Sequence, residues 1–154
     1  MTTANRRNFL RNTLATTLVG IATGSGLLNP REVLAATWPA DLFDAKDVHT
    51  ALSGNEGSAS NEVSLKTPDI AENGAVVPVT VESTLTNVES ISLLVKDNPR
   101  PLSAVFILGP GVQPNISTRL KMSKTSNVIA VVKVGDKRLS TAKEVKVTIG
   151  GCGG

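Results

Sequence analysis

Tyrosine is absent from the 154-residue chain, and the remaining aromatics are four: Phe9, Trp38, Phe43 and Phe106. A protein that binds single-stranded nucleic acid by stacking bases needs aromatic platforms, and this chain has almost none. One histidine, His49, and one cysteine, Cys152, exclude a Cys/His zinc module and a disulfide framework. They leave a Cys–His catalytic pair only if His49 meets Cys152 across the length of the chain. What remains is 40% hydrophobic and 19% charged, the balance of a soluble globular protein.

The net charge of +3 comes from one end of the chain. Residues 1–36 carry Arg6, Arg7, Arg11 and Arg31 against Glu32, and the remainder is neutral. The body therefore gives no support for nucleic-acid binding. Within it the charge is divided. Residues 37–97 hold 3 bases and 10 acids, and residues 98–154 hold 9 bases and 2 acids. A compact fold can neutralise one half with the other; a polarised surface that meets a partner is the alternative.

Arg6-Arg7-Asn8-Phe9-Leu10-Arg11 has the pattern of a twin-arginine export signal. The apolar stretch behind it, Leu14 to Leu28, is interrupted by Thr16, Thr17, Gly20, Gly24 and Gly26 and is too short for a membrane span. Cleavage fits after Ala35 or Ala36, each with small or aliphatic residues at the required positions. Residues 1–36 are thus expected to be a signal peptide, and the mature chain to work in a bacterial periplasm with no membrane anchor.

The expected fold is mainly β: an immunoglobulin-like antiparallel β-sandwich with a short N-terminal helix, over residues 37–149. The spacing of Trp38, Leu42, Ala45 and Leu52 predicts one helix from Trp38 to Leu52, capped by Thr37 and carrying Pro39 in its first turn. His49 lies on it and reads as a surface or capping residue. From residue 62 the pattern changes to period two. Strands are predicted at Val63–Leu65, Val77–Val81, Ile91–Val95, Ser103–Leu108, Ile116–Met122, Val128–Val134 and Glu144–Ile149. Pro78 cannot donate to a ladder, which predicts an edge position for its strand. Val128–Val134 is nearly continuous and should be central. Seven short strands separated by Gly, Pro and Asn turns are the signature of the sandwich.

The chain ends Ile149-Gly150-Gly151-Cys152-Gly153-Gly154, with four glycines around the one thiol. Such a segment, residues 150–154, is expected to be a flexible and slender arm. Three residues from Ile149 to Cys152 reach roughly 10 Å at full extension. An unpaired cysteine is unusual in an oxidising compartment. It either pairs with another chain or is kept for chemistry. A nucleophilic enzyme would need a base near the thiol, and the nearest in sequence is Lys146. An exported binding module joined to a second subunit by a Cys152 disulfide remains the other reading of the tail.

The Gly-Gly-Cys-Gly-Gly terminus behind Val145-Lys146-Val147-Thr148-Ile149 resembles the SoxY family, the sulfur carriers of bacterial sulfur oxidation. The segment from Pro68 to Val79, Asn98-Pro99-Arg100-Pro101 and Arg119-Leu120-Lys121-Met122 are similar to the same family. Asp97 departs from it, standing where a lysine precedes Asn-Pro. The resemblance implies a carrier that is not itself an enzyme and holds no cofactor other than covalent sulfur adducts on Cys152. Gly150, Gly151, Gly153 and Gly154 would supply reach. Its implied partners are a SoxZ-like β-sandwich subunit in a heterodimer, a c-type cytochrome that couples thiosulfate to the thiol, a hydrolase that releases sulfate and, where the host has one, a sulfane dehydrogenase.

Overall fold

The computed structural model describes residues 40–148. Two helices, α1 (Ala40–Asp44) and α2 (Val48–Ala51), precede nine strands. These are β1 (Ser58–Ala59), β2 (Val63–Lys66), β3 (Ile70–Ala71), β4 (Val77–Ser83), β5 (Ser90–Val95), β6 (Leu102–Ile107), β7 (Asn115–Leu120), β8 (Ser126–Val134) and β9 (Lys137–Val147). A single 3₁₀ turn, Gly74–Val76, leads into β4.

The strands form two sheets. One has the order β1-β9-β8-β5-β6, with β3 also on β9, and the other has the order β2-β4-β7. The seven longer strands pair antiparallel with one another, and they follow immunoglobulin connectivity. β2, β4 and β7 take the A, B and E positions, and β9, β8 and β5 take G, F and C. The strand between C and E, here β6, lies beside C. The two-residue strands β1 and β3 run parallel to β9 and were not signalled in the sequence, being too short to show a period.

Alternation assigns each side chain to a layer. Val77, Val79 and Val81 of β4 meet Ile91 and Leu93 of β5 and Val128, Ala130 and Val132 of β8 between the sheets. The opposite face of the larger sheet is also buried. There Leu94, Leu102 and Val131 pack on Ala45, Ala51 and Leu52 of the helical segment, with Phe43 and Ile129 against them. β8 is therefore covered on both faces, which is why Val128–Val134 has so little polar relief.

Three expectations are corrected. The predicted single helix, Trp38–Leu52, is two short helices over its described part, because Asp47 is a cap. Its backbone is extended (φ −138°, ψ 159°), and its carboxylate accepts from Thr50 N at 2.8 Å and Thr50 Oγ1 at 2.8 Å. These bonds hold the Asp47 carboxyl below the usual carboxylate range. Thr37, Trp38 and Pro39 lie outside the described residues. Secondly, β4 is the middle strand of its sheet, although it carries Pro78. The pairing of β2 with β4 ends at Thr80, so at Pro78 the strand has only β7 beside it, through Arg119. The missing N–H is tolerated where one neighbour has already stopped. Thirdly, the last strand begins at Lys137, seven residues before Glu144. Val134 pairs with Lys137 across the two-residue loop Gly135-Asp136, and Gly135 has the positive φ (+55°) of a tight hairpin turn.

Ion pairs join the two oppositely charged parts of the sequence. Arg100–Asp44 (3.0 Å), Lys133–Glu89 (2.6 Å) and Lys143–Asp69 (2.8 Å) each link a base after residue 97 to an acid before it. Lys66–Glu82, at 2.7 Å, lies within the acidic half. Among the described residues no helix is long and apolar enough to cross a membrane.

Candidate functional site

Cys152, Gly150, Gly151, Gly153 and Gly154 lie outside the described residues, as does Ile149. What the structure gives is the segment that precedes them in the chain, the end of β9, and the loops beside it. β9 is an eleven-residue strand. It is held along one edge by β8 from Val134↔Lys137 to Ser126↔Val145.

Beyond Val145 the last three described residues are fixed from two sides. Lys146 N donates to Asp69 O at 2.9 Å and Thr148 N donates to Ala71 O at 3.1 Å. Between them Val147 N points the other way and donates to Thr125 Oγ1 at 2.9 Å. Thr148 Oγ1 also donates to Glu72 O at 3.3 Å. An extended strand alternates its N–H groups between its two edges, so β3 supplies acceptors on one edge and Thr125 replaces β8 on the other. The segment before β3 is fixed in turn by Lys143, whose Nζ donates to Thr67 O at 2.8 Å and contacts Asp69 Oδ1 at 2.8 Å. The hydrogen bond and charge of Lys143, with a smaller contribution from Lys146, hold the Asp69 carboxyl below its ordinary range.

Asn98 organises the other side of this end. Its Nδ2 donates to Lys121 O at 2.7 Å, and its Oδ1 accepts from Ser123 N and Ser123 Oγ, both at 3.0 Å. The loop so held contains Met122, fully buried, whose N donates to Gly74 O at 2.7 Å. Ser126, a buried polar residue, accepts from Asp97 N at 2.9 Å and donates to Asp97 Oδ2 at 3.0 Å. Asn98 thus fixes the 121–123 turn, and Thr125 of the same loop fixes Val147. The segments 68–79, 98–101 and 119–122, far apart in sequence, meet at the end of the sandwich where β9 runs out.

His49 is on α2 in the helical layer, exposed, with Nδ1 3.8 Å from Glu56 Oε1. It is not among the loops that hold β9. Among the described residues no group of three or more His, Cys, Asp or Glu side chains could hold a metal ion. A groove of about 930 Å³ lies at the opposite end, between residues 84–89 and 109–115. Its lining combines Glu62, Glu82 and Glu89 with apolar Leu85, Val88 and Val112 and with small polar side chains, and has no base among them. Sequence reasoning missed Thr125 and Lys143, and it named Asp69 only within the family-like segment, without a role. They sit in loops or on a polar strand face, and only the fold shows that they converge.

The arrangement fixes the end of β9 on both of its edges. Residues 49–152 match the family model described as sulfur oxidation protein SoxY. The solved structure of the sulfur carrier protein SoxY from Chlorobium limicola f thiosulfatophilum is 40% identical, with a TM-score of 0.56, over 64% of this chain and 91% of that one. A solved chain described under the structural basis of T cell specificity and activation by the bacterial superantigen toxic shock syndrome toxin-1 is 16% identical, with a TM-score of 0.39, over 55% of this chain and 97% of that one. No curated protein matches the chain.

Proposed function

The chain belongs to the SoxY family of sulfur oxidation proteins, and from that premise we propose that it is a sulfur carrier whose cargo is bonded to Cys152. The observation that carries this reading is the match to the family up to and including Cys152, the one thiol in the chain. The clamped end of β9 supports it, because a fixed base lets a short arm present its tip at a defined place.

The carrier step is an oxidative coupling. The Cys152 thiolate and thiosulfate lose two electrons together to a c-type cytochrome, and a sulfur–sulfur bond forms to give Cys–S–S–SO₃⁻. A hydrolase then adds water across the S–SO₃ bond. Sulfate and two protons leave, and a persulfide stays on the carrier. A sulfane dehydrogenase acts on that persulfide in hosts that have one. The carrier catalyses none of these steps. The tail has no base beside the thiol, so the visiting enzyme must activate it. Gly150, Gly151, Gly153 and Gly154 make the arm slender enough to enter a narrow active-site channel. A SoxZ-like sandwich completes the carrier as a heterodimer in the periplasm, reached through the Arg6-Arg7 signal.

Enzymatic loading compared with labelling by iodoacetamide tests this reading. Cys152→Ser should abolish both. Gly151→Val and Gly153→Val should impair loading by the cytochrome while labelling is nearly unchanged, since a β-branched side chain stiffens and widens the arm. A constant ratio across the glycine variants would contradict the threading of the arm. Loading that survives in Cys152→Ser would contradict the carrier site itself.

A further inference from the structure

The face of the larger sheet that the helical segment covers is apolar at its centre and polar at one corner. Ser90 of β5 stands opposite Lys133 of β8, and Lys133 opposite Arg138 of β9, so the three form one row across the sheet. Directly opposed residues point to the same side. Two residues along β5, Ser92 stands opposite Val131, which packs on the helical segment. The row of Ser90, Lys133 and Arg138 therefore faces that segment too, just beyond its apolar contacts.

A cavity of about 150 Å³ lies at this corner, between the sheet and the end of α2. Ser53, Ser90, Ser92, Lys133 and Arg138 line it beside apolar side chains, and no carboxylate does. Arg138 Nη1 donates to Leu52 O at 2.5 Å and to Asn55 O at 3.0 Å, which fixes the guanidinium and satisfies both carbonyls. Among the described residues Arg138 meets no carboxylate, so no ion pair offsets its charge. Lys133 does have one: Glu89 Oε2 is 2.6 Å from its Nζ, with Glu89 outside the lining. Two bases against one acid leave a net positive charge at the cavity. The hydroxyls of Ser53, Ser90 and Ser92 have no hydrogen-bond partner among the described residues.

We propose that this corner binds a small tetrahedral oxyanion of the size and charge of sulfate, thiosulfate or phosphate. A guanidinium fixed at one nitrogen keeps its other N–H groups for an oxyanion, and charge-assisted bonds of this kind are the strong ones. The three hydroxyls supply further donors. A cavity of this volume takes a molecule of about six heavy atoms, and a tetrahedral oxyanion has about five. The bound anion would tie the end of α2 to β5, β8 and β9. Arg138 lies near the start of β9 and Val147 at its end, so the site is separate from the clamp and does not depend on what Cys152 carries.

NMR titration of the purified protein tests this, with sulfate, thiosulfate and phosphate each added at an ionic strength held constant by sodium chloride. The backbone amides of Ser53, Ser90, Ser92 and Arg138 should shift saturably, with a dissociation constant of about 1 mM. Ser92→Val suits a strand and removes one donor; it should weaken binding about fivefold, the scale of one hydrogen bond, while circular dichroism stays native. Arg138→Gln should weaken it by at least about tenfold, and Arg138→Lys, which keeps the charge, by less. Because Arg138→Gln also alters the bonds to Leu52 and Asn55, Ser92→Val carries the test if that variant does not fold. Similar affinity for all three anions assigns the site to tetrahedral oxyanions at large, and a preference for sulfate and thiosulfate assigns it to those of sulfur. No saturable shift, the same shifts with chloride alone, or binding unchanged in every folded variant would overturn the proposal.

Discussion

Replacing Asn98 with alanine should loosen the end of the sandwich that carries the arm. The side chain makes three hydrogen bonds, one to Lys121 O at 2.7 Å and two from Ser123 at 3.0 Å. A buried or half-buried hydrogen bond contributes about 1 kcal/mol net, and the partners left behind recover part of this from water. The expected loss is about 2 kcal/mol, a large fraction of the 5–15 kcal/mol typical of a whole domain. With a urea slope of about 1.5 kcal/mol/M, the unfolding midpoint should fall by about 1.3 M. Asn98→Asp separates the contributions. It keeps the acceptor for Ser123 but sets a carboxylate oxygen against Lys121 O, so it should also destabilise, through the Lys121 side alone. Amide exchange at Ser123 should then speed up in Asn98→Ala and hold in Asn98→Asp. A loss below about 0.5 kcal/mol in Asn98→Ala, the scale of an ordinary surface change, would refute the role given to this residue.

The Asp69 carboxyl is held below its ordinary range by Lys143, so its contribution is present above its unfolded-state pKa and is lost as pH falls through the lower folded-state value. Asp69→Asn should therefore lower stability at neutral pH and make little difference at about pH 2, measured by urea unfolding at both. Gly57 has φ +79°, and a Cβ there would lie 2.9 Å from Arg138 O, whereas at Gly111, φ +76°, nothing is within 4 Å. Gly57→Ala should cost more than the roughly 1–2 kcal/mol of backbone strain expected for Gly111→Ala, read from thermal unfolding. Changing Arg6 and Arg7 to lysine should keep the protein out of the periplasm, measured by fractionation; unchanged export would contradict the twin-arginine route.

The seven longer strands could be read from the sequence because β2, β4, β5, β7 and β9 alternate over enough residues to show their period and β6 and β8 are apolar runs bounded by turn residues. β8 was legible as central because Ile129 and Val131 are apolar on the face that a solvated sheet would leave polar. β1 and β3 were not legible, since two residues have no period. The helix was drawn too long because the Leu42, Ala45 and Leu52 spacing continues through Asp47, whose capping role depends on an extended backbone that no apolar count reveals. Pro78 was misplaced because the proline rule speaks of a missing donor, and only the register shows that β2 has ended there. Cys152 stood out by composition. Asp69 and Asn98 stood in segments similar to the family but had no role assigned to them, and Thr125 and Lys143 did not stand out, because the four come from separate stretches that only the fold brings together.

The most direct test of the carrier claim is the intact mass of the protein from thiosulfate-grown cells, with and without reductant, followed by fragmentation to locate any added mass. A sulfur carrier should show reductant-sensitive additions of sulfur and of a sulfur–sulfonate group, confined to Cys152. A protein that shows only a disulfide to another chain at Cys152, or no addition in actively oxidising cells, would contradict it.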